Sequence, residues 1–277
     1  MNHQFILNFS PTGLIPTKEV TAEVPIRPEE IIAQVLEVAD LGVNMVHLHA
    51  REIDSGQPTY KKGIYAEIIR GIRQKNKDLV LGVSTSGRHF FEFEKRSEVL
   101  ELEGPLKPDL GSLTLSSLNF NKQVSINSPE MIQDLARKML ETKIKPEMEV
   151  FDLGMINYAK YLIRKGLIKP PYYFNLILGN IACAQADMLS LGLMIRELPE
   201  GSIWSVGGVG SSQLKMNAMS LVSGGGVRVG LEDNIWYDEA RTRLATNRDL
   251  VQRIITIAKA LDRRPYSHKE AREVLGI

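Results

Sequence analysis

The chain is 277 residues long and 43% hydrophobic, enough to bury a full core, and its length fits a single domain spanning residues 1–277. Lys plus Arg number 34 against 33 Asp plus Glu with no long run of either sign, which excludes the basic field that nucleic acid or an anionic membrane requires and points to small-molecule partners. Cys183 is the single cysteine, so an intrachain disulfide and a multi-cysteine zinc site are both excluded, in keeping with a reducing compartment. The N-terminus shows no basic region ahead of an apolar stretch, and no apolar run reaches spanning length, so a soluble cytoplasmic protein is expected.

Short β-rich runs alternate with helical patterns along the chain. In order, the strands are expected at residues 5–8, 43–49, 79–84, 109–115, 147–152, 172–178, 202–206 and 227–231. The first intervening helix carries its own punctuation: Pro28 early, Glu29 and Glu30 in the first turn, Ile31, Ile32, Val35, Leu36 and Ala39 on one face, and Gly42 past the end. Eight β-then-α units without a composition break predict an α/β fold, a closed (β/α)8 TIM barrel in one domain. The alternative, an open doubly wound sheet, lacks its spaced glycine fingerprint after any strand, and polar residues recur after most strands.

In such a barrel the C-terminal strand ends share one rim, and that rim is where chemistry is expected. The second strand ends in His47-Leu48-His49, whose side chains, two apart, project to one face where a divalent metal can sit. Two polar residues on a wet strand would be the bland reading, but Met45, Val46 and Leu48 imply burial, where unliganded imidazoles leave polar atoms to satisfy. On the eighth strand Arg228, Gly230 and Glu232 are expected to share a face, with Glu232 as third zinc ligand. Glu232 and Asp233 could instead be acids at a helix N-terminus. As chemistry, Arg228 would keep Asp233 charged and oriented as a general base while lowering its pKa.

Ser84 and Thr85, followed by Ser86-Gly87, are either a turn or a set of hydroxyl and N–H donors for a substrate carboxylate, with Ser112 as a further hydroxyl if it points inward. The run containing Gly208, Gly210 and Ser211 follows the seventh strand, where barrels often hold phosphate, so a phosphorylated cofactor could rest there. A tight strand-to-helix turn is the plainer reading.

His47-Leu-His-Ala-Arg51, Pro108-Asp-Leu-Gly-Ser-Leu-Thr114, Ser117-Leu-Asn-Phe120, Lys145-Pro-Glu-Met-Glu-Val-Phe-Asp152 and Gly225-Gly-Val-Arg-Val-Gly-Leu-Glu-Asp-Asn234 together resemble, in order and spacing, the β-keto acid cleavage enzyme family. The resemblance implies a zinc-dependent (β/α)8 barrel, a homo-oligomer and by family a tetramer, that converts a β-keto acid plus acetyl-CoA as cosubstrate into acetoacetate plus a new acyl-CoA. It implies His47, His49 and Glu232 as zinc ligands, Arg228 and Asp233 as the catalytic dyad, and Ser84 and Ser112 near the substrate carboxylate. Members acting on an amino-bearing keto acid carry a glutamate after the first-strand Thr-Gly. Here Leu14 follows Thr12-Gly13, so a neutral distal end is expected of the substrate unless Glu147 or Glu149 swings in to replace that carboxylate. Gly226 stands where a polar residue is usual and is expected to widen the mouth. The competing readings are a zinc-dependent barrel hydrolase or aldolase, and a ligand-binding barrel without catalysis.

Overall fold

Apolar runs without alternation, such as Val80-Leu-Gly-Val83, suit a parallel strand covered on both faces, and all four of those residues are buried. The computed structural model describes residues 3–277. Its barrel strands are β1 (Leu7–Phe9), β2 (Met45–Leu48), β3 (Val80–Val83), β4 (Leu110–Thr114), β5 (Lys145–Val150), β6 (Tyr173–Leu178), β7 (Ile203–Gly208) and β8 (Gly226–Val229). They pair in parallel in chain order, and β8 returns to β1 to close the barrel. The (β/α)8 expectation therefore holds over the open sheet.

The helices that cover it are α1 (Pro28–Ala39), α2 (Lys62–Lys75), α3 (Phe93–Ser97), α4 (Pro129–Thr142), α5 (Leu153–Arg164), α6 (Met188–Glu197), α7 (Ser212–Val222) and α8 (Asn247–Ala260), followed by α9 (His268–Leu275). In α1, Pro28 opens the helix, and Ile31, Val35, Val38 and Ala39 are buried as the periodicity requires. Between β3 and β4 the full helix expected is replaced by α3 and two 3-10 turns, Glu98–Glu101 and Gly104–Leu106. Ala271 and Leu275 of α9 close the barrel floor against Ile6, Met45, Val80, Leu110 and Tyr173, leaving the other rim open.

Strand ends depart from expectation in ways that shape that rim. Gln4–Phe5 leaves the barrel to pair with Arg264–Pro265, so β1 starts later than expected. β8 stops at Val229 because Gly230 turns with φ 157° so close to Ser10 that a Cβ there would lie 2.0 Å from its carbonyl oxygen. Glu232 thus reaches the rim through a turn and not by strand alternation. Gly226 is the first residue of β8, packed against Ile6 and Ser205, and so lies far from the mouth it was expected to widen. Two hairpins, Ala50–Arg51 with Pro58–Thr59 and Leu118–Asn119 with Val124–Ser125, rise from the rim.

Candidate active site

β2 delivers both histidines to the rim: His47 and His49 are 1% and 4% exposed, and their Nε2 atoms lie 3.1 Å apart. His49 Nε2 is also 3.2 Å from Glu232 Oε1. One imidazole nitrogen cannot accept from a neighbouring ring and donate to a carboxylate at once, so three ligand atoms facing each other call for a cation. Glu232 Oε2, buried without a hydrogen-bond partner, makes the same demand. One ligand atom from each of His47, His49 and Glu232 falls within 4.8 Å of the others, and the two-imidazole, one-carboxylate set suits an open zinc site.

Gly13, with φ 63°, makes room for this arrangement. A Cβ on it would lie 2.5 Å from Glu232 Cγ. The segment is held from below by buried Arg51, which donates to the carbonyls of Gly13, Pro16 and Gly56.

Beneath the histidines a polar network fills the barrel. Glu147, fully buried, takes hydrogen bonds from His47 Nδ1 at 2.7 Å, Asn8 Nδ2 at 2.7 Å and Asn175 Nδ2 at 2.9 Å. Beside them Arg228 is ringed by carboxylates: Nε lies 2.8 Å from Asp233 Oδ2, Nη2 2.8 Å from Glu232 Oε1 and Nη1 3.5 Å from Glu149 Oε1.

Charge follows from these contacts. Burial pushes His47 down, but Glu147 and Glu232 push harder the other way and raise it to about 9. Burial dominates at His49 and lowers it to about 4 despite Glu232. Burial alone would raise Glu232, yet Arg228 and the two histidines hold it well below the usual carboxylate range. Asp233 goes the other way: burial raises it, Arg228 opposes, and the nearby Glu232 adds to the rise. Arg228 lowers this base's pKa as expected, but burial and Glu232 outweigh it.

Residues 4–277 match the family described as beta-keto acid cleavage enzyme. The chain belongs to that family. A 3-keto-5-aminohexanoate cleavage enzyme of Fusobacterium nucleatum is 35% identical over 100% of this chain and 99% of its own length. A 3-oxoadipate:acetyl-CoA acetyltransferase of Cupriavidus necator is 31% identical over 100% of this chain and 96% of its own. Among solved structures, the ternary complex of ObcA with a C4-CoA adduct and oxalate superposes with a TM-score of 0.82 at 20% identity, covering 92% of this chain and 68% of that one, which shows the shared barrel.

In this family member the rim opens into a cavity of about 820 Å³ walled by Leu14, His49, Ser84, Glu149, Arg228, Glu232 and Asp233 among others. Not every expected substrate contact faces it. Thr85 donates its N–H to Ser112 Oγ at 3.0 Å and its hydroxyl to the Ser112 carbonyl at 2.6 Å, so the two residues are committed to each other. Ser84 and Ser86 remain on the wall. Glu147 cannot swing toward the mouth, being locked under His47. Gly210 and Ser211 line the cavity, whereas Gly208 packs against the Ser212 backbone as part of a tight turn.

Sequence reasoning missed the deep partners Asn8 and Arg96. Arg96 donates to Thr85 O, Ile126 O and Asn127 Oδ1, and so shapes the loop after β3. It also missed Arg88 on the cavity wall. No sequence signal distinguishes these from surface residues, because their partners lie far away in the chain.

Proposed function

We propose that this enzyme exchanges acyl groups between a β-keto acid and acetyl-CoA, yielding acetoacetate and a new acyl-CoA, with His47, His49 and Glu232 holding one zinc ion. The observation that carries this reading is the convergence of those three ligand atoms on the same rim as the Arg228–Asp233 ion pair. Bound there, zinc would supply Lewis-acid polarisation of the keto oxygen.

The protein's own residues account for the remaining work. Glu147 accepts the His47 Nδ1 proton and fixes which ring nitrogen faces the site. Asp233 takes a proton from the carbon between carboxylate and ketone, its raised pKa making it a better acceptor than an ordinary aspartate. Arg228 and the Ser10 hydroxyl, 3.3 Å from Asp233 Oδ2, hold that carboxylate in place. The substrate carbanion attacks the thioester carbonyl, forming a carbon–carbon bond and expelling the CoA thiolate. The thiolate then adds to the original keto carbon, and the bond from that carbon to the α-carbon breaks with its electron pair moving to the α-carbon. Asp233 returns its proton there. Acetoacetate leaves, and the acyl group departs on sulfur.

Ser84 and Ser86 offer hydroxyls to the carboxylate shared by all β-keto acids, while Lys122 and Arg241 at the exposed mouth suit CoA phosphates. Leu14 on the wall gives an ammonium nothing to pair with, and the cavity's acids are Glu149, Glu232 and Asp233, all engaged by Arg228. Cationic substrates are therefore disfavoured.

Assembly into a homo-oligomer, a tetramer by the family resemblance, is supported by Ile181, Met188 and Leu189, which are 68%, 75% and 73% exposed near the start of α6. Among the described residues no helix is long and apolar enough to cross a membrane, and the lone thiol fits a cytoplasmic setting. Incubating the zinc-loaded protein with acetyl-CoA and a panel of β-keto acids should release acetoacetate. Its absence across the panel would refute the reading.

A further inference from the structure

Arg88 stands in the loop after β3, half-buried on the cavity wall, and its guanidinium carbon lies 3.3 Å from the centroid of the Phe120 ring. Phe120 meets Phe151 edge-on at 5.8 Å, so the stacked arginine is backed by an aromatic pair. Arg88 lines the cavity, and stacking through its face leaves the N–H donors at the edge of the guanidinium fork unused. Among the described residues no carboxylate or carbonyl takes a hydrogen bond or ion pair from that fork. The cavity's own acids, Glu149, Glu232 and Asp233, all lie within 3.5 Å of Arg228 and act on Arg88 only through space, without contact. A cation on the wall with no acid in hydrogen-bond or ion-pair contact is open to an anion.

Three anions could reach it. The carboxylate common to all β-keto acids is one methylene from the keto carbon and so belongs beside His49 and Ser84, whereas Arg88 is stacked on Phe120. CoA's phosphates are carried on the far side of a long pantetheine arm, at the mouth, where exposed Lys122 and Arg241 stand. The remaining candidate is an anion at the distal end of the keto acid, whose methylenes would lie along Leu14 and Leu118. We propose that Arg88 receives a second carboxylate at the far end of the substrate, so that dicarboxylic β-keto acids, and not neutral or amino ones, are the substrate class. This rests on the reaction proposed above, and it replaces the neutral distal end expected from Leu14 alone.

The test compares 3-oxoadipate with 3-oxohexanoate, the same carbon chain with methyl in place of the distal carboxylate. The zinc-loaded enzyme should favour the diacid in kcat/KM by about 10–100-fold, the worth of a charge-assisted bidentate contact. Arg88→Met should collapse that ratio and Arg88→Lys should restore part of it. A ratio unchanged in Arg88→Met, or a loss confined to the KM for acetyl-CoA, would overturn the proposal. Calorimetry with adipate against hexanoate gives a readout independent of turnover. If neither keto acid is consumed, the proposed reaction has failed, and adipate binding that Arg88→Met abolishes still upholds the anion site. Adipate binding no better than hexanoate overturns it.

Discussion

Glu147 accepts a hydrogen bond from His47 Nδ1 at 2.7 Å from directly beneath the ring, with Asn8 and Asn175 both donating to its other oxygen. Three donors converge on two oxygens, so the site is built for a carboxylate and not an amide. Glu147→Gln would turn an NH2 toward one of those donors. The expected result is a folded protein that binds zinc about 10–100-fold more weakly, read by competition with a chromophoric chelator. Unchanged affinity would show that His47 needs no such support.

Zinc should be present at one ion per chain, since the three ligand atoms form a single open site. His47→Ala and His49→Ala should lose metal and activity together. Elemental analysis of protein prepared without chelator decides this, and substoichiometric metal in the unaltered chain counts against it.

Metal binding should also release a proton. Before metal binds, His47 holds its proton up to about pH 9, so at neutral pH the ion must displace it. The sign follows: apparent affinity climbs as pH rises toward about 9 and weakens as pH falls. Isothermal titration in buffers of differing ionisation enthalpy measures the released proton directly, and a buffer-independent heat would contradict the assignment.

Asp233→Asn should keep fold and metal while cutting kcat by about 10²–10⁴-fold, the usual worth of a general base. Arg228→Ala should do more. Its buried guanidinium, 2% exposed, is the shared ion-pair partner of Glu149, Glu232 and Asp233, and removing one partner from buried charge clusters typically costs about 3–5 kcal/mol. Arg228→Ala should therefore lower Tm and metal affinity as well as turnover. A variant of normal stability would mean that the three acids are relieved by protonation or water.

Gly13→Ala places a methyl within 2.5 Å of Glu232 Cγ and forces a positive φ on alanine. Zinc affinity should drop while the barrel stays folded, as followed by chelator competition and circular dichroism. Leu14→Glu, one residue on, should move the kcat/KM ratio toward 3-keto-5-aminohexanoate. No shift would mean that residue 14 does not meet the distal group.

Local pattern determined the barrel. Apolar runs at regular intervals, helices with Pro28 and acids at their starts, and His-X-His at a strand end each reflect physics acting within a few residues, so all eight strands and the His47–His49 pair were legible. What the tertiary structure decided involves partners distant in sequence. Glu147 lies 100 residues from His47, and only barrel closure makes it the support of a ligand and not a substrate contact. Thr85 and Ser112 are removed from the cavity by pairing across β3 and β4. Asp233 has its pKa raised and not lowered because burial and Glu232 outweigh the adjacent Arg228, a balance that sequence neighbours cannot reveal. Arg88 shows the same limit: an arginine in a polar loop reads as surface until Phe120, 32 positions away, stacks on it at the cavity wall. Strand and helix propensities act locally, whereas the charge, burial and orientation of a site belong to whichever residues the closed barrel brings together.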